Sequence, residues 1–259
     1  MDLGIRGRKA IVCASSRGLG RACAMSLARE GVAVIINGRD KAALQSTAEE
    51  IRSETGARVT PVVADLDHEE ERQRLVTACP EADILVTNNG GPAPGRFEDW
   101  DHEQWLAAIE SNLLAPVMLI RTLLPGMKAR NFGRIVNITS AMVKTPVAPM
   151  ALSTTARSGL TALCKAISKP AAAFNVTINN LLPERFDTDR QLQMAKAASE
   201  LFGLTYEEAR AQQVASIAAG RLGLPGEFGD ACAFLCSSQA GYISGQNLQL
   251  DGGSYAGLV

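Results

Sequence analysis

The sequence predicts a single α/β domain built on a doubly wound parallel sheet. Short apolar runs rich in β-branched residues alternate with amphipathic helical patterns from one end of the chain to the other. The runs are apolar throughout, which is typical of strands that are covered by helices on both faces. Right-handed crossovers then wind the chain around one sheet. No linker or internal repeat divides the 259 residues, so we expect one domain spanning 1–259.

The individual elements follow from periodicity and length. In the first helical pattern, Leu19, Cys23 and Leu27 recur at a spacing of four and form one face. A later helical pattern contains Pro116, which we expect to kink it. The predicted strands are the seven runs at 9–14, 32–37, 59–64, 83–87, 134–139, 177–182 and 247–250. The predicted helices include the patterns at 18–30, 41–55, 69–79, 102–128 and 154–173.

The segment 184–221 breaks the regular alternation of predicted strands and helices. It is rich in Ala, Gln and charged residues, and it carries helical patterns at 190–202 and 206–219. In a doubly wound sheet, residues that follow the carboxyl end of a strand overhang the ligand crevice. We therefore expect 184–221 to be a substrate lid. A plain helical hairpin on the surface is the alternative.

Composition argues against several functions. A net charge of −1 gives no electrostatic reason to expect nucleic acid or an anionic membrane as partner. The six cysteines lack a C-x-x-C pair and fit small core residues of a cytoplasmic protein. With two histidines, a zinc site or a Ser-His-Asp triad is hard to build, so we expect no metal. Residues 1–6 show no secretory signal, and we expect no membrane span.

The first predicted strand leads into a glycine-rich turn, and a helix follows. The turn reads Cys13-Ala14-Ser15-Ser16-Arg17-Gly18-Leu19-Gly20. Glycines here let the backbone approach a pyrophosphate, whose charge then lies at the N-terminus of the helix. Ala14 adds a methyl group, which is tolerated if the backbone φ at this position is negative.

This turn resembles the T-G-x-x-x-G-x-G turn of short-chain dehydrogenases/reductases. Gly18 and Gly20 match its last two glycines, whereas Cys13 and Ala14 replace Thr and the first Gly. The resemblance continues along the chain and implies a Rossmann-like fold and a 3-oxoacyl-acyl-carrier-protein-reductase-like protein. Its further matches are Asp65-Leu66, Asn88-Asn89-Gly90-Gly91, Asn112, the strand that ends in Ser140, Pro183 with Thr188, 220–223, 242–246 and 251–253.

The predicted cofactor is NADP(H), with NAD(H) as the less favoured alternative. The second strand ends Asn37-Gly38-Arg39, with no carboxylate for a ribose 2′-hydroxyl. Arg39 and Arg17 offer donors that match a phosphate, unless both are merely solvated. The cofactor-binding residues that the resemblance implies are Ala14, Ser15, Ser16, Arg17, Gly18, Leu19, Gly20, Asn37, Arg39, Asp65, Leu66, Asn89, Gly90, Gly91, Arg157, Pro183 and Thr188.

The resemblance also implies hydride transfer between the nicotinamide and a carbonyl or alcohol substrate. Asn112 and Ser140 match catalytic residues of the family. The family's catalytic Tyr and Lys are replaced by Ser153 and Arg157, which are the other two candidate catalytic residues. An aliphatic hydroxyl is a poor proton source and a guanidinium stays charged, so the usual general acid is lost. That loss typically lowers the rate by about 10²–10⁴-fold.

Two hypotheses follow. In the first, the protein is a reductase in which the proton comes by another route. That route is water held by Asn112 or Ser153, or a group of the lid such as Glu184, Arg185 or Tyr206. In the second, it binds the dinucleotide with little or no turnover, as a sensor or as a partner subunit. The resemblance further implies a homo-oligomer, either a tetramer or a dimer.

Overall fold

The sheet has seven parallel strands in the order β3-β2-β1-β4-β5-β6-β7. The computed structural model describes residues 2–258, except for the side chain of Leu201. The predicted doubly wound parallel fold is confirmed, and each predicted strand is present within two residues of its expected bounds. The strands are β1 (Lys9–Val12), β2 (Ala33–Gly38), β3 (Val59–Val63), β4 (Ile84–Thr87), β5 (Gly133–Ile138), β6 (Val176–Pro183) and β7 (Asn247–Leu250).

Helices cover both faces of the sheet. Strand β1 has apolar side chains on both faces, and each face needs a covering layer. Ala10 and Val12 join the core on one face, whereas Ile11 and the next residue after the strand, Cys13, join the core on the other. All six cysteines are buried as free thiols. The helices are α1 (Gly18–Arg29), α2 (Lys41–Thr55), α3 (Glu69–Thr77), α4 (His102–Ile109), α5 (Ala115–Ala129), α6 (Ala151–Ala172), α7 (Asp189–Phe202), α8 (Tyr206–Val214) and α9 (Pro225–Cys236).

The predicted long helix over 102–128 is interrupted. Helices α4 and α5 are joined by a π-helical turn at Glu110–Leu114, and Pro116 lies just after this turn. The expected kink is therefore a wider turn of backbone that contains Asn112. Pro116 cannot donate a backbone hydrogen bond to the preceding helical turn, and it follows directly after the π turn. Periodicity alone does not reveal a π turn, because it adds one residue without changing the apolar character of the helix face.

Other helix boundaries also differ from the predictions. Helix α6 begins at Ala151 rather than 154, which places Ser153 inside the helix. Helix α8 ends at Val214 rather than 219. By length and composition, the run His102–Ala129 is long and apolar enough to cross a membrane, whereas no membrane span was expected. Its buried residues, among them Leu119 and Leu123, pack in the core against the sheet.

A ladder of polar side chains crosses four strands, and all of its members except Asn247 are buried. Thr87 Oγ1 donates to Asn137 Oδ1 at 2.7 Å, and Asn137 Nδ2 donates to Asn180 Oδ1 at 3.0 Å. Asn180 Nδ2 then donates to Asn247 Oδ1 at 2.7 Å. These four residues are also register partners in β4, β5, β6 and β7. Because each of these bonds requires one specific pairing, the ladder disfavours a shifted register.

We expect Thr87→Val to lower the free energy of unfolding by about 1–3 kcal/mol, because it leaves the buried Asn137 Oδ1 without its donor. Thr177→Val is the matched control. Thr177 is equally buried, at 2% exposure, but its hydroxyl has no partner among the described residues. In urea denaturation, Thr177→Val should leave the free energy of unfolding unchanged or raise it. Equal losses in the two variants would contradict a stabilising ladder.

Candidate functional site

The candidate site lies at the carboxyl ends of the parallel strands. In this strand order the chain reverses direction of winding between β1 and β4, where doubly wound sheets hold their ligands. The turn after β1 and the segment 88–91 after β4 meet there. Ser140 follows β5, and the segment 184–188 follows β6. The fold therefore brings the predicted residues to one edge of the sheet.

In the turn after β1, Ala14 has a left-handed backbone conformation, although glycine is the residue that usually adopts it. Ala14 has φ +43°, so the condition of negative φ set from the sequence is wrong. Two hydrogen bonds hold this conformation. Ala14 N donates to Asn37 Oδ1 at 3.2 Å, and Asn88 Nδ2 donates to Ala14 O at 3.2 Å. Side chains from β2 and β4 thus offset the strain that a Cβ causes at positive φ.

Helix α1 begins in close contact with this turn. A Cβ on Gly20 would lie 2.3 Å from Ala14 O, so only glycine allows the approach. Gly18 has φ +58°, and a Cβ there would meet only Thr188 Cγ2, at 3.9 Å. No side chain caps the first N–H groups of α1. The turn therefore presents free backbone donors and the positive end of a helix dipole, which together suit an anion.

The side chains of Ser15 and Asn37 make their hydrogen bonds within the protein, around the turn. Ser15 Oγ donates to Val12 O at 2.7 Å and accepts from Asn37 N at 3.0 Å. Asn37 Nδ2 donates to Ala64 O at 3.0 Å. Both side chains are buried. Their contribution to the site is to fix the ends of β1, β2 and β3 relative to one another.

The two arginines that were predicted to bind phosphate are both accessible. Arg17 is exposed at the start of α1. The Arg39 side chain is 72% exposed and lies 3.5 Å from a carboxylate oxygen of Asp65. An exposed ion pair of this kind contributes little and opens easily. Ser16 is half-buried and lies close to Gly38, because a Cβ on Gly38 would be 3.0 Å from Ser16 Oγ.

The segment after β4 is tied to the π turn. Asn89 Nδ2 donates to Asp67 Oδ1 at 2.8 Å and to Ser111 O at 3.2 Å. Asn112 Nδ2 donates to Gly90 O at 3.1 Å. Burial raises the pKa of the Asp67 carboxyl, and the hydrogen bond from Asn89 opposes this shift. Asp67 was missed from the sequence, although it stands two residues after the singled-out Asp65.

Asn112 borders a small, partly open cavity. The Asn112 side chain is 3% exposed, and its Oδ1 accepts no hydrogen bond from the described residues. Leu66, Asn89 and Arg157 also line the cavity, whose volume is about 10 Å³. A single water needs a space of about 10–15 Å³ measured in this way. The cavity therefore has room for about one water next to an unused acceptor.

Ser153 and Arg157 form a hydrogen-bonded pair on α6. Arg157 Nε donates to Ser153 Oγ at 3.0 Å, and Arg157 Nη1 donates to Ile138 O at 2.8 Å. Burial, and secondly the charge of Arg190, lower the pKa of Arg157 to about 10. Ser140 Oγ accepts from Met142 N at 3.1 Å, which fixes the oxygen at the end of β5. Ser153 and Arg157, which replace the family's Tyr and Lys, thus form an ordered hydrogen-bonded pair of a hydroxyl and a guanidinium.

Residues after β6 complete the site. Pro183 is the last residue of β6, and Thr188 lies against Gly18 of the first turn. Two residues later, Arg190 Nη2 donates to Pro92 O at 3.4 Å. Arg190 was missed from the sequence. The available signal was a cation in the first turn of a helix, where the helix dipole favours an anion.

Comparison with known proteins gives the family. The model of a family described as enoyl-(acyl carrier protein) reductase matches residues 13–255. An uncharacterised oxidoreductase of Bacillus subtilis, YvaG, is 33% identical, and the match covers 98% of both chains. The 3-oxoacyl-[acyl-carrier-protein] reductase FabG of Vibrio cholerae is 31% identical and covers 98% of this chain and 99% of that protein. The chain belongs to the short-chain dehydrogenase/reductase family. The resemblance drawn from its motifs is confirmed.

A solved structure agrees with this assignment. The L-sorbose reductase of Gluconobacter frateurii, complexed with NADPH and L-sorbose, superposes with a TM-score of 0.94. The two chains are 27% identical, and each is covered completely. The whole fold of this short-chain dehydrogenase/reductase, including the segment between β6 and α9, therefore has a counterpart in that reductase.

The strained turn can be tested through stability. We expect Ala14→Gly to raise the free energy of unfolding by up to about 1 kcal/mol, because glycine has no Cβ to strain at φ +43°. Gly56→Ala makes the reverse change at φ +68°, with nothing within 4 Å of the added Cβ. It should cost about 1 kcal/mol in urea denaturation. A destabilised Ala14→Gly variant would contradict a strained Ala14, because relief of strain would then not outweigh the greater unfolded-state entropy of glycine.

Proposed function

We propose that the protein is an NADP(H)-dependent oxidoreductase that transfers hydride between the nicotinamide and a carbonyl or alcohol group, in the manner of a 3-oxoacyl reductase. The observation that carries the proposal is the ordered Ser153–Arg157 pair at the strand ends. It lies on the α6 helix, which also borders the Asn112 cavity. The arrangement keeps a donor and a cation where a carbonyl oxygen gains negative charge.

The cleft fits the cofactor by its shape and by its donors. Gly18 and Gly90 are open, since a Cβ on either would meet at most one atom within 4 Å. The free N–H groups at the start of α1 suit a diphosphate. Arg17 and Arg39 are both exposed and suit a ribose 2′-phosphate. The NADPH complex of the similar sorbose reductase supports NADP(H) over NAD(H). The binding set proposed for this chain is the one predicted from its sequence, in which the buried Ser15 and Asn37 act by shaping the turn.

The bound cofactor supplies or accepts the hydride at its nicotinamide ring. In the reducing direction, Ser153 and Ser140 donate hydrogen bonds to the carbonyl oxygen. Arg157 stabilises the negative charge that develops on this oxygen, because its guanidinium remains protonated near neutral pH with a pKa of about 10. One proton from water then completes the alcohol. The net reaction consumes a carbonyl group, NADPH and a proton and forms an alcohol and NADP⁺.

The proton route that we favour runs through water. Asn112 Oδ1 is buried and free to accept, and Arg157 lines the same cavity. A water in that cavity would have an acceptor and a cationic donor as partners, which is a suitable polar environment. Ser153 Oγ already accepts from Arg157, so its own proton is available to the substrate oxygen. Water can then return a proton to the Ser153 hydroxyl after this hydroxyl has donated its own proton to the substrate oxygen.

A second function is a nucleotide-binding protein with little or no turnover, acting as a sensor or a partner subunit. The observation that favours it is the replacement of the usual phenol by the aliphatic hydroxyl of Ser153, which is a far weaker acid. We also propose that 184–221 acts as a substrate lid and that the protein is a cytoplasmic homo-oligomer. Exposed Leu106 and Leu114, near the π turn, support association of this chain with a second copy.

Cofactor choice is tested by charge removal. We expect Arg39→Gln to raise the Kd for NADPH about tenfold and to leave the Kd for NADH unchanged, because a charge-assisted hydrogen bond to phosphate is lost. Arg17→Gln should act in the same direction. Lys41→Gln, an exposed cation two residues away, is the control. Unchanged NADPH affinity in the Arg17→Gln/Arg39→Gln double variant would show that both arginines are merely solvated.

The role of Ser153 is tested by kinetics on a panel of ketones and β-keto thioesters. Ser153→Ala should lower kcat by about 10²–10³-fold without changing the Kd for NADPH, because a donor to the developing oxyanion is removed. Thr155→Ala, an exposed change on the same helix, should leave both unchanged. A large gain of activity in Ser153→Tyr/Arg157→Lys over the native protein would identify the native site as impaired and would favour the second function.

A further inference from the structure

Two guanidinium groups converge beside the candidate catalytic hydroxyl. Arg157 Nη2 and Arg190 Nη1 lie 3.6 and 3.7 Å from the same point, which is where a Cβ on Gly91 would be. Ser153 Oγ lies 3.6 Å from that point as well. Gly91 therefore opens a space that two cations and one hydroxyl share. The two arginines come from different elements, α6 and the first turn of α7.

Neither cation is neutralised by the protein. Arg157 donates to Ser153 Oγ and Ile138 O, and Arg190 donates to Pro92 O, so all three acceptors are uncharged. Among the residues that the structure describes, no carboxylate forms a salt bridge with either arginine. The charge of Arg190 disfavours the protonated form of Arg157 and lowers its pKa, as burial does. Two like charges held this close cost free energy unless an anion lies near both.

The location of Arg190 on its helix adds to this cost. Arg190 in the first turn of α7 opposes the helix dipole, whose positive end favours negative groups, whereas Asp189 in the same turn interacts with it favourably. An anion that binds in the shared space would relieve the repulsion between the arginines and would also interact favourably with the helix end. Planar guanidinium groups match the two oxygens of a carboxylate in particular. The site therefore has the chemistry of a carboxylate receptor.

We propose that Arg157 and Arg190 bind a carboxylate of the substrate, so that the protein acts on oxo acids and the corresponding hydroxy acids. This inference rests on the proposed oxidoreductase function and specifies its substrate class. The shared space adjoins Ser153, the donor to the reacting oxygen, and so the carboxylate lies within a few bonds of the carbonyl. Because Gly91 and Arg157 also belong to the proposed cofactor-binding set, the carboxylate lies beside the nicotinamide end of the bound cofactor. The cofactor's diphosphate belongs at the start of α1, where Gly18 and Thr188 meet.

The inference is tested with matched acids and esters. Pyruvate, acetoacetate and levulinate place the carboxylate at increasing distance from the ketone, and each has a neutral methyl ester. We measure the Kd of all six by calorimetry on the protein saturated with NADP⁺, and kcat/KM with NADPH. At least one acid should bind about tenfold or more tightly than its ester. Arg190→Gln should abolish that preference, and Arg190→Lys should restore part of it.

Controls separate this inference from other causes. Lys196→Gln removes an exposed cation from the same helix and should leave the preference for the acid unchanged. If Arg190→Gln weakens NADPH binding and no acid is preferred over its ester, the pair binds a cofactor phosphate and the inference is overturned. Calorimetry does not require turnover. A preference for the acid in a protein without reductase activity would therefore support the anion site while overturning the proposed function.

Discussion

The site depends on the alignment of the strand ends, and the hydrogen-bonded ladder from Thr87 to Asn247 holds that alignment on one side of the sheet. In a parallel sheet, a shift of one residue between strands would move every following loop by about 3.3 Å. The segment 88–91 begins directly after Thr87, and Ser140 is the third residue after Asn137. A ladder of side chains beneath these loops thus fixes where the donors lie.

A second constraint holds the other side of the site. Strand β1 must turn sharply so that α1 begins against it, and the contact of Gly20 with Ala14 O leaves no space for a side chain. Asn37 and Asn88 hold the strained Ala14 from the two neighbouring strands. The strain therefore depends on sheet pairing, and the turn keeps its shape although the usual glycine is absent. Both constraints rely on hydrogen bonds made by polar side chains in or directly after the strands.

Four arginines stand at this edge together with carboxylates such as Asp65, Asp67 and Asp189, in a chain with a net charge of −1. Arg17 and Arg39 stand near the first turn, Arg157 and Arg190 stand near Ser153, and α1 directs its positive end into the same crevice. Such an arrangement attracts anions locally without making the whole protein basic. It fits a phosphorylated cofactor at one end of the crevice and an anionic substrate at the other. Arg157 stands where the family has Lys, and while its Nε and Nη1 donate to Ser153 and Ile138, its Nη2 lies next to this second region.

The sequence by itself determined the strands, their parallel arrangement, the glycine turn and the substitutions at Ser153 and Arg157, because these depend on local periodicity and on fixed spacing. It did not reveal the π turn that carries Asn112, since an extra residue in a helix leaves no mark in an apolar pattern. Nor did it reveal the positive φ of Ala14, which bonds from residues 37 and 88 impose. Only the tertiary structure brought Arg190 to Arg157, because the two residues lie 33 positions apart and nothing in either local pattern encodes their meeting.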